Sequence, residues 1–246
     1  MARISIQIIV VFFLFLVSCK KENEQNLSGV EKERLKELLV KADDFKIPKQ
    51  KRIEYTDQAY AILKQSQDSS SISDLFKIAD RYYNADENDK FLHVSKVILN
   101  ISKKNNDSIT IGKALSYIGD YHYYGFKYDS SHYYYNKAEK IQKLLKKNFL
   151  DNRISYNKAS ILLFEKNFSQ AEVYFIDVLK LAKESKNDKL IYDTYLALGM
   201  CLNGMNNNRE AIEYYQKAID QTEKLKDDKQ YKSLIAQPFN YIAIAL

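Results

Sequence analysis

The chain has 246 residues, 46% hydrophobic and 28% charged, with a formal net charge of +6. That composition supplies a large core or an extended array and excludes a wholly disordered polymer. With 6 Gly and 2 Pro, β-hairpin turn chemistry is scarce and long helices are favoured; lysines alternate with acids instead of forming a basic block, which argues against a nucleic-acid face.

At the amino terminus, Arg3 precedes an unbroken apolar run from Ile8 to Val17. Ser18 and Cys19 follow, and then the polar stretch Lys20 to Glu24. An apolar stretch of about ten to fourteen residues is short for a membrane span, which takes roughly 20, and suits the core of a cleaved export signal. The tetrad Leu16-Val17-Ser18-Cys19 resembles the lipobox of bacterial lipoproteins. That resemblance implies a signal peptide over 1–19, with Cys19 lipidated as the mature amino terminus. Lys20 after the cysteine implies, by the same resemblance, a bacterial cell envelope location, lipid-anchored in the outer membrane. An ordinary secretory signal or a short anchor helix, with an incidental cysteine, is the alternative. Residues 20–29 are polar and aperiodic and read as a flexible tether.

From Val30 onward the pattern is helical. A pair of helices over about 30–44 and 48–66 forms an atypical capping unit (30–68), with Pro48 at a helix start. Repeats follow over 72–111, 112–151, 152–191 and 192–231, and 236–246 reads as the start of an incomplete one. Two ladders carry this division. Ser131, Ala171 and Ala211 recur at a spacing of about 40 residues, a repeat-length period. Ala79, Gly119, Ala159 and Gly199 share that spacing, and Ala243 follows slightly late. An aromatic stands four residues after each rung of the first ladder, at Tyr135, Phe175 and Tyr215. That offset puts it on the same helix face as the small residue. Ala138, Val178 and Ala218 come three residues further on.

This arrangement resembles the tetratricopeptide (TPR) repeat family from about Val30 to the end. The resemblance implies an all-α fold: a superhelical solenoid of antiparallel helix pairs, TPR-like, with a period of about 40 residues. It also implies that the small residues let paired helices touch, where a larger side chain would overpack at a cost of roughly 1–3 kcal/mol. The chain departs from the family in three ways. The commonest unit has about 34 residues. The unit-ending proline is missing, and polar clusters such as 103–108 and 183–188 stand in its place. The first repeat has Phe91 where a small residue is expected. HEAT-type units have a similar length.

No Gly-rich phosphate loop, nucleophile elbow, zinc-protease motif or Cys-x-x-Cys is present. No catalytic residue, metal site or cofactor is therefore expected, and the chain reads as a non-catalytic scaffold. His122 and His132 are spaced to face one another across a helix pair, but a metal would still need further ligands. The adjacent acids Asp43-Asp44 and Asp227-Asp228 read as loop or surface residues. Cys201 reads as a small core residue.

In TPR arrays the first helices line a concave groove that takes peptides. The resemblance puts Phe76, Asp80, Tyr83 and Asn84 there from the first repeat, and Lys113, Ser116, Asp120, Tyr123 and Tyr124 from the second. The third supplies Arg153, Tyr156, Ser160 and Phe164, and the fourth Asp193, Met200 and Asn203. Such a mixture suits recognition by aromatic anchors and polar register groups. The implied partner is a protein or peptide, with a membrane reached through the lipid anchor and no nucleic acid. The abrupt end at Leu246 carries the alternative: the extracytoplasmic sensor region of a TPR-containing regulator, with its output domain downstream.

Overall fold

A computed structural model describes residues 27–64, 71–147, 150, 152–226 and 231–246. The signal segment, Cys19, most of the expected tether and Asp227-Asp228 lie outside them.

Every regular element among the described residues is helical. In chain order these are α1 (Gly29–Asp43), α2 (Lys49–Leu63), α3 (Ile72–Asn84), α4 (Asn88–Lys104), α5 (Ser108–Tyr124) and α6 (Tyr128–Leu145). Then come α7 (Arg153–Phe164), α8 (Phe168–Glu184), α9 (Asp188–Gly204), α10 (Asn208–Gln221) and α11 (Tyr231–Ala245). A 3-10 turn at Thr222–Leu225 follows α10. Each helix packs on the next, so the chain is a solenoid of antiparallel pairs.

The helix starts follow local capping chemistry. Ser28 and Glu31 form a capping box: the Glu31 amide donates to the Ser28 hydroxyl at 3.3 Å and the Ser28 amide donates to the Glu31 carboxylate at 2.8 Å. Order thus begins before the expected tether boundary at residue 29. Asp107 accepts from the Thr110 amide at 3.1 Å and Asn187 from the Leu190 amide at 3.0 Å. These caps start α5 and α9 at Ser108 and Asp188, one turn before the expected unit boundaries at 112 and 192.

The pairs are joined tightly. Three-residue turns link α3–α4, α4–α5, α5–α6, α7–α8, α8–α9 and α9–α10, and the middle residue of each has a left-handed backbone. Those residues are Asp86, Asn106, Phe126, Lys166, Lys186 and Asn206, and Lys146, left-handed at the end of α6, completes a series with one every 20 residues. The amide after each of the six turn residues reaches back to close a Schellman motif, as from Glu87 to the Tyr82 carbonyl at 2.9 Å and from Asn207 to Leu202 at 2.9 Å. This closure does the work of the missing proline. None of the six is glycine, although φ near +56° is costly for a residue as bulky as Phe126.

Both ladders are buried. Ala79, Ala159, Ser131, Ala171 and Ala211 are all fully enclosed, and so are Tyr135, Phe175, Tyr215, Ala138 and Ala218. A Cβ on Gly119 would lie 2.5 Å from the Tyr135 ring, and one on Gly199 2.3 Å from Tyr215. Only glycine lets these first helices close over a tyrosine. The last rung departs from expectation: Ala243 is exposed and Ala245 is the buried small residue.

α11 also starts earlier than 236, and Pro238 lies inside it. A proline there cannot donate to the carbonyl four residues back, that of Leu234. The Tyr192 hydroxyl supplies the missing bond, donating to the Leu234 carbonyl at 2.7 Å. A bond from α9 thereby repairs the α11 ladder and docks the helix at once.

Candidate functional site

First helices of successive units approach each other more extensively (α5 to α7, α7 to α9, α9 to α11) than second helices do. The crowded side is the inside of the curve, so the odd-numbered helices line the concave face.

That face is laced by polar contacts between neighbouring first helices. Arg81 on α3 grips the Asp43 carboxylate on α1 with two bonds, at 2.9 and 2.6 Å. The Tyr117 hydroxyl on α5 donates to Asp80 on α3 at 2.7 Å. Arg153 on α7 pairs with Asp120 on α5 at 2.9 Å, and its guanidinium lies over the Tyr117 ring. Asp120 is fully buried and also accepts from the Tyr135 hydroxyl (2.7 Å) and Asn157 (3.1 Å). The α1–α3, α3–α5 and α5–α7 junctions each use an acid on one first helix and a donor on the next, which fixes register as well as adding energy.

The expected groove residues therefore divide. Asp120, Ser116, Ser160 and Tyr123 are buried in the wall. Ser116 returns its hydroxyl to the Lys113 carbonyl at 2.7 Å. Asp80, Arg153 and Phe76 are half-buried and hold neighbours; Phe76 meets Tyr117 edge to face at 5.0 Å. Burial pushes the Asp80 carboxyl up, against the Tyr117 hydrogen bond and the Arg153 and Arg81 charges. Tyr156 is half-buried against Phe175, and burial, with the Asp193 charge second, raises its hydroxyl well above the ordinary value. Asp193 receives the Lys189 ammonium on its own helix. Met200 packs between two core clusters, and Asn203 is half-buried.

What faces solvent is an aromatic rim at the carboxyl ends of the first helices, with Asn84 exposed beside it; Lys113 is also exposed but lies in the amino-terminal half of α5. Tyr124 and Phe164 are exposed, and the Tyr83 hydroxyl donates to that of Tyr124. Phe164 stacks on Tyr128 at 6.1 Å, and Tyr123, its hydroxyl pushed up to about 12 by burial, packs beneath both.

One feature of this face escaped the sequence reading. A cavity of about 610 Å³ opens between α1 and α3. Leu35, Leu39 and Leu63 form its floor, and Lys32, Lys36, Lys77 and Arg81 stand around it with Asp43 and Asp74. Its sequence signal was the pair of leucine faces on α1, which one buried side cannot use up.

No ring contact joins His122 to His132 among the described residues. His122 stacks on Tyr134 at 5.3 Å and His93 meets Tyr60 edge to face at 5.8 Å. No cluster that could hold a metal occurs among the described residues. Cys201 is fully buried, and burial pushes its thiol up to about 12, as inert core thiols do.

Residues 151–224 match the tetratricopeptide repeat family model. Among solved structures, the chain is similar to the nearly identical TPR-like repeats of a Podosopora anserina kinesin light chain, at 10% identity and a TM-score of 0.56, over 82% of this chain and 100% of that one. It is also similar to the apo form of RapI (15% identity, TM-score 0.57, 86% of this chain and 85% of that one). A third is a signal-transduction ATPase with a tetratricopeptide repeat sensor from Pyrococcus horikoshii, at 18% identity and a TM-score of 0.57, over 92% of this chain and 34% of that one. No curated protein matches the sequence.

Proposed function

We propose that the chain, whose residues 151–224 match the tetratricopeptide repeat family model and whose fold is that of tetratricopeptide-repeat solenoids, is a non-catalytic, membrane-anchored scaffold that binds a protein or peptide along its concave face. The observation that carries this reading is the combination, on one face, of exposed Tyr124 and Phe164 with the 610 Å³ cavity between α1 and α3. Aromatic anchors and apolar pockets contribute most of the energy of peptide recognition, and the lysines around the cavity favour acidic side chains beside an apolar anchor. Inter-helix polar pairs already occupy the wall, so the face is rigid before a partner arrives, which lowers the ordering cost of binding.

The anchor in this reading is a lipid on Cys19, with the repeats held at the outer membrane. Palmitate labelling tests it: wild-type chain should incorporate label and Cys19→Ala should not. Equal labelling would sink the anchor. For the groove, a double substitution Tyr124→Ala/Phe164→Ala should weaken partner pull-down strongly while circular dichroism stays unchanged. Undiminished pull-down would remove the aromatic rim from the reading.

A second reading is supported by the likeness to a tetratricopeptide repeat sensor within a larger signalling protein. Here the array is the extracytoplasmic sensor region of a regulator. Reading the genomic frame beyond the codon for Leu246 separates the two: an in-frame output domain favours the sensor, and an immediate stop codon removes it.

A further inference from the structure

The outer side of the solenoid carries a cavity pair that groove binding does not use. It lies between α2 and α4, where the capping pair meets the first repeat. One chamber, of about 470 Å³, has apolar walls from Leu63, Leu75, Val97 and Ile101. The adjoining chamber, of about 360 Å³, runs past Tyr82 and Val94. Tyr60 and His93 line both, so the two form one trough. Each chamber falls within the size range of small-molecule sites, which are mostly apolar with a few placed polar groups.

Two observations say what would fill it. The first is charge. Lys64, Lys103 and Lys104 border the larger chamber, and no carboxylate among the described residues lines it. The acids belong to the smaller chamber, where Asp57 is held by the Tyr82 hydroxyl at 2.7 Å and by the Lys90 ammonium at 2.9 Å. The trough thus has Lys64 and Lys103 at one end and the Asp57–Lys90 pair at the other. The second is the Tyr60 hydroxyl, which is buried and has no hydrogen-bond partner among the described residues. A buried hydroxyl left without a partner is costly, and an acceptor oxygen on a bound molecule would remove that cost.

We propose that the α2–α4 trough is a binding site for a single-chain anionic amphiphile of the fatty-acid class. The carboxylate lies by Lys64 and Lys103, the chain runs over Val97 and Leu75 toward Val94, and Tyr60 donates to an oxygen of the head. The site opens between second helices, away from the aromatic rim, and shares only Leu63 with the α1–α3 cavity.

The test is calorimetric titration of the full chain with dodecanoate, below its critical micelle concentration, with dodecyltrimethylammonium as the cationic control. Dodecanoate should bind saturably at one per chain and the cation should not. Lys64→Glu/Lys103→Glu, both at exposed positions, should weaken binding by about tenfold or more, and so should Val97→Trp, which fills the chamber. Lys180→Glu, at an exposed lysine on α8 that lines neither chamber, should leave dodecanoate binding unchanged. Circular dichroism of each variant establishes that it is folded, and the exposed Lys→Glu pair decides the matter if Val97→Trp is not. Absence of saturable dodecanoate binding, equal binding of the cation, or binding unchanged in the Lys→Glu pair would each overturn the proposal.

Discussion

The first and fourth repeats solve the same packing problem with opposite hands. In the fourth, Ala211 on α10 is small and Tyr215, one turn later, is large. In the first, the equivalent positions on α4 are Phe91 and Ser95, large then small. All four are buried: Ala211, Tyr215 and Ser95 are fully enclosed and Phe91 nearly so. The Phe91 ring packs against Tyr83 and Tyr117, and the Ser95 hydroxyl turns back to the Phe91 carbonyl at 2.7 Å. What the unit conserves is therefore the combined volume of the pair, in line with the tolerance of cores to volume-conserving exchange. Phe91, which stands where a small residue is expected, is one half of a swapped pair with Ser95.

Exchanging the pattern in the fourth repeat is the strongest way to break this comparison. Tyr215→Ser alone should cost about 3–5 kcal/mol in urea unfolding. Adding Ala211→Phe should recover a measurable part of that loss if pair volume is what matters. A double variant no better than the single one would refute the equivalence. Next in size, Gly199→Ala should cost roughly 1–3 kcal/mol, because its Cβ would meet the Tyr215 ring at 2.3 Å. The same substitution at Gly199 in a Tyr215→Ser background should cost much less. Smaller again, Tyr192→Phe should lose about 1–2 kcal/mol by stranding the Leu234 carbonyl. In a Pro238→Ala background, where the helix can make that bond itself, the loss should shrink, and an equal loss would show that the hydroxyl does not repair the proline.

The smallest effect is a pH dependence in the second repeat. Burial, with Lys127 and Lys96 adding to it, lowers the His122 pKa below the ordinary imidazole value. The folded state thus disfavours the charged ring and binds fewer protons than the unfolded chain. Stability is fully present above the ordinary value, near 6.5, and is lost as pH falls from there toward the lowered one. His122→Gln should flatten that slope, which urea melts at pH 7 and pH 5 will measure.

The period and both ladders were legible because steric constraints at helix contacts admit few residue types. The helix starts were legible too, since Ser28, Asp107 and Asn187 are ordinary caps, but repeat alignment alone set the boundaries a turn late at α5 and α9. The turns were less legible. Gly125 looks like the left-handed residue of its turn, yet its φ is −83° and Phe126 takes the positive one. Position in a Schellman motif counts from the helix, and composition does not reveal it. At the candidate site, sequence could place Asp80, Asp120 and Arg153 on the concave side but not say that they face each other across junctions. That depends on which helices are neighbours, a tertiary fact. The α1–α3 cavity was hidden for the same reason.

The central claim is that partners sit on the first-helix side. Site-specific photocrosslinking in the source organism tests it most directly, with p-benzoylphenylalanine placed at Tyr124 or Phe164 and, for contrast, at Tyr174 on α8. The three are comparably exposed, at 42%, 51% and 45%, so accessibility does not favour either face. The account predicts the same protein adduct from positions 124 and 164 and none from 174. Adducts from 174 with none from 124 or 164 would contradict it.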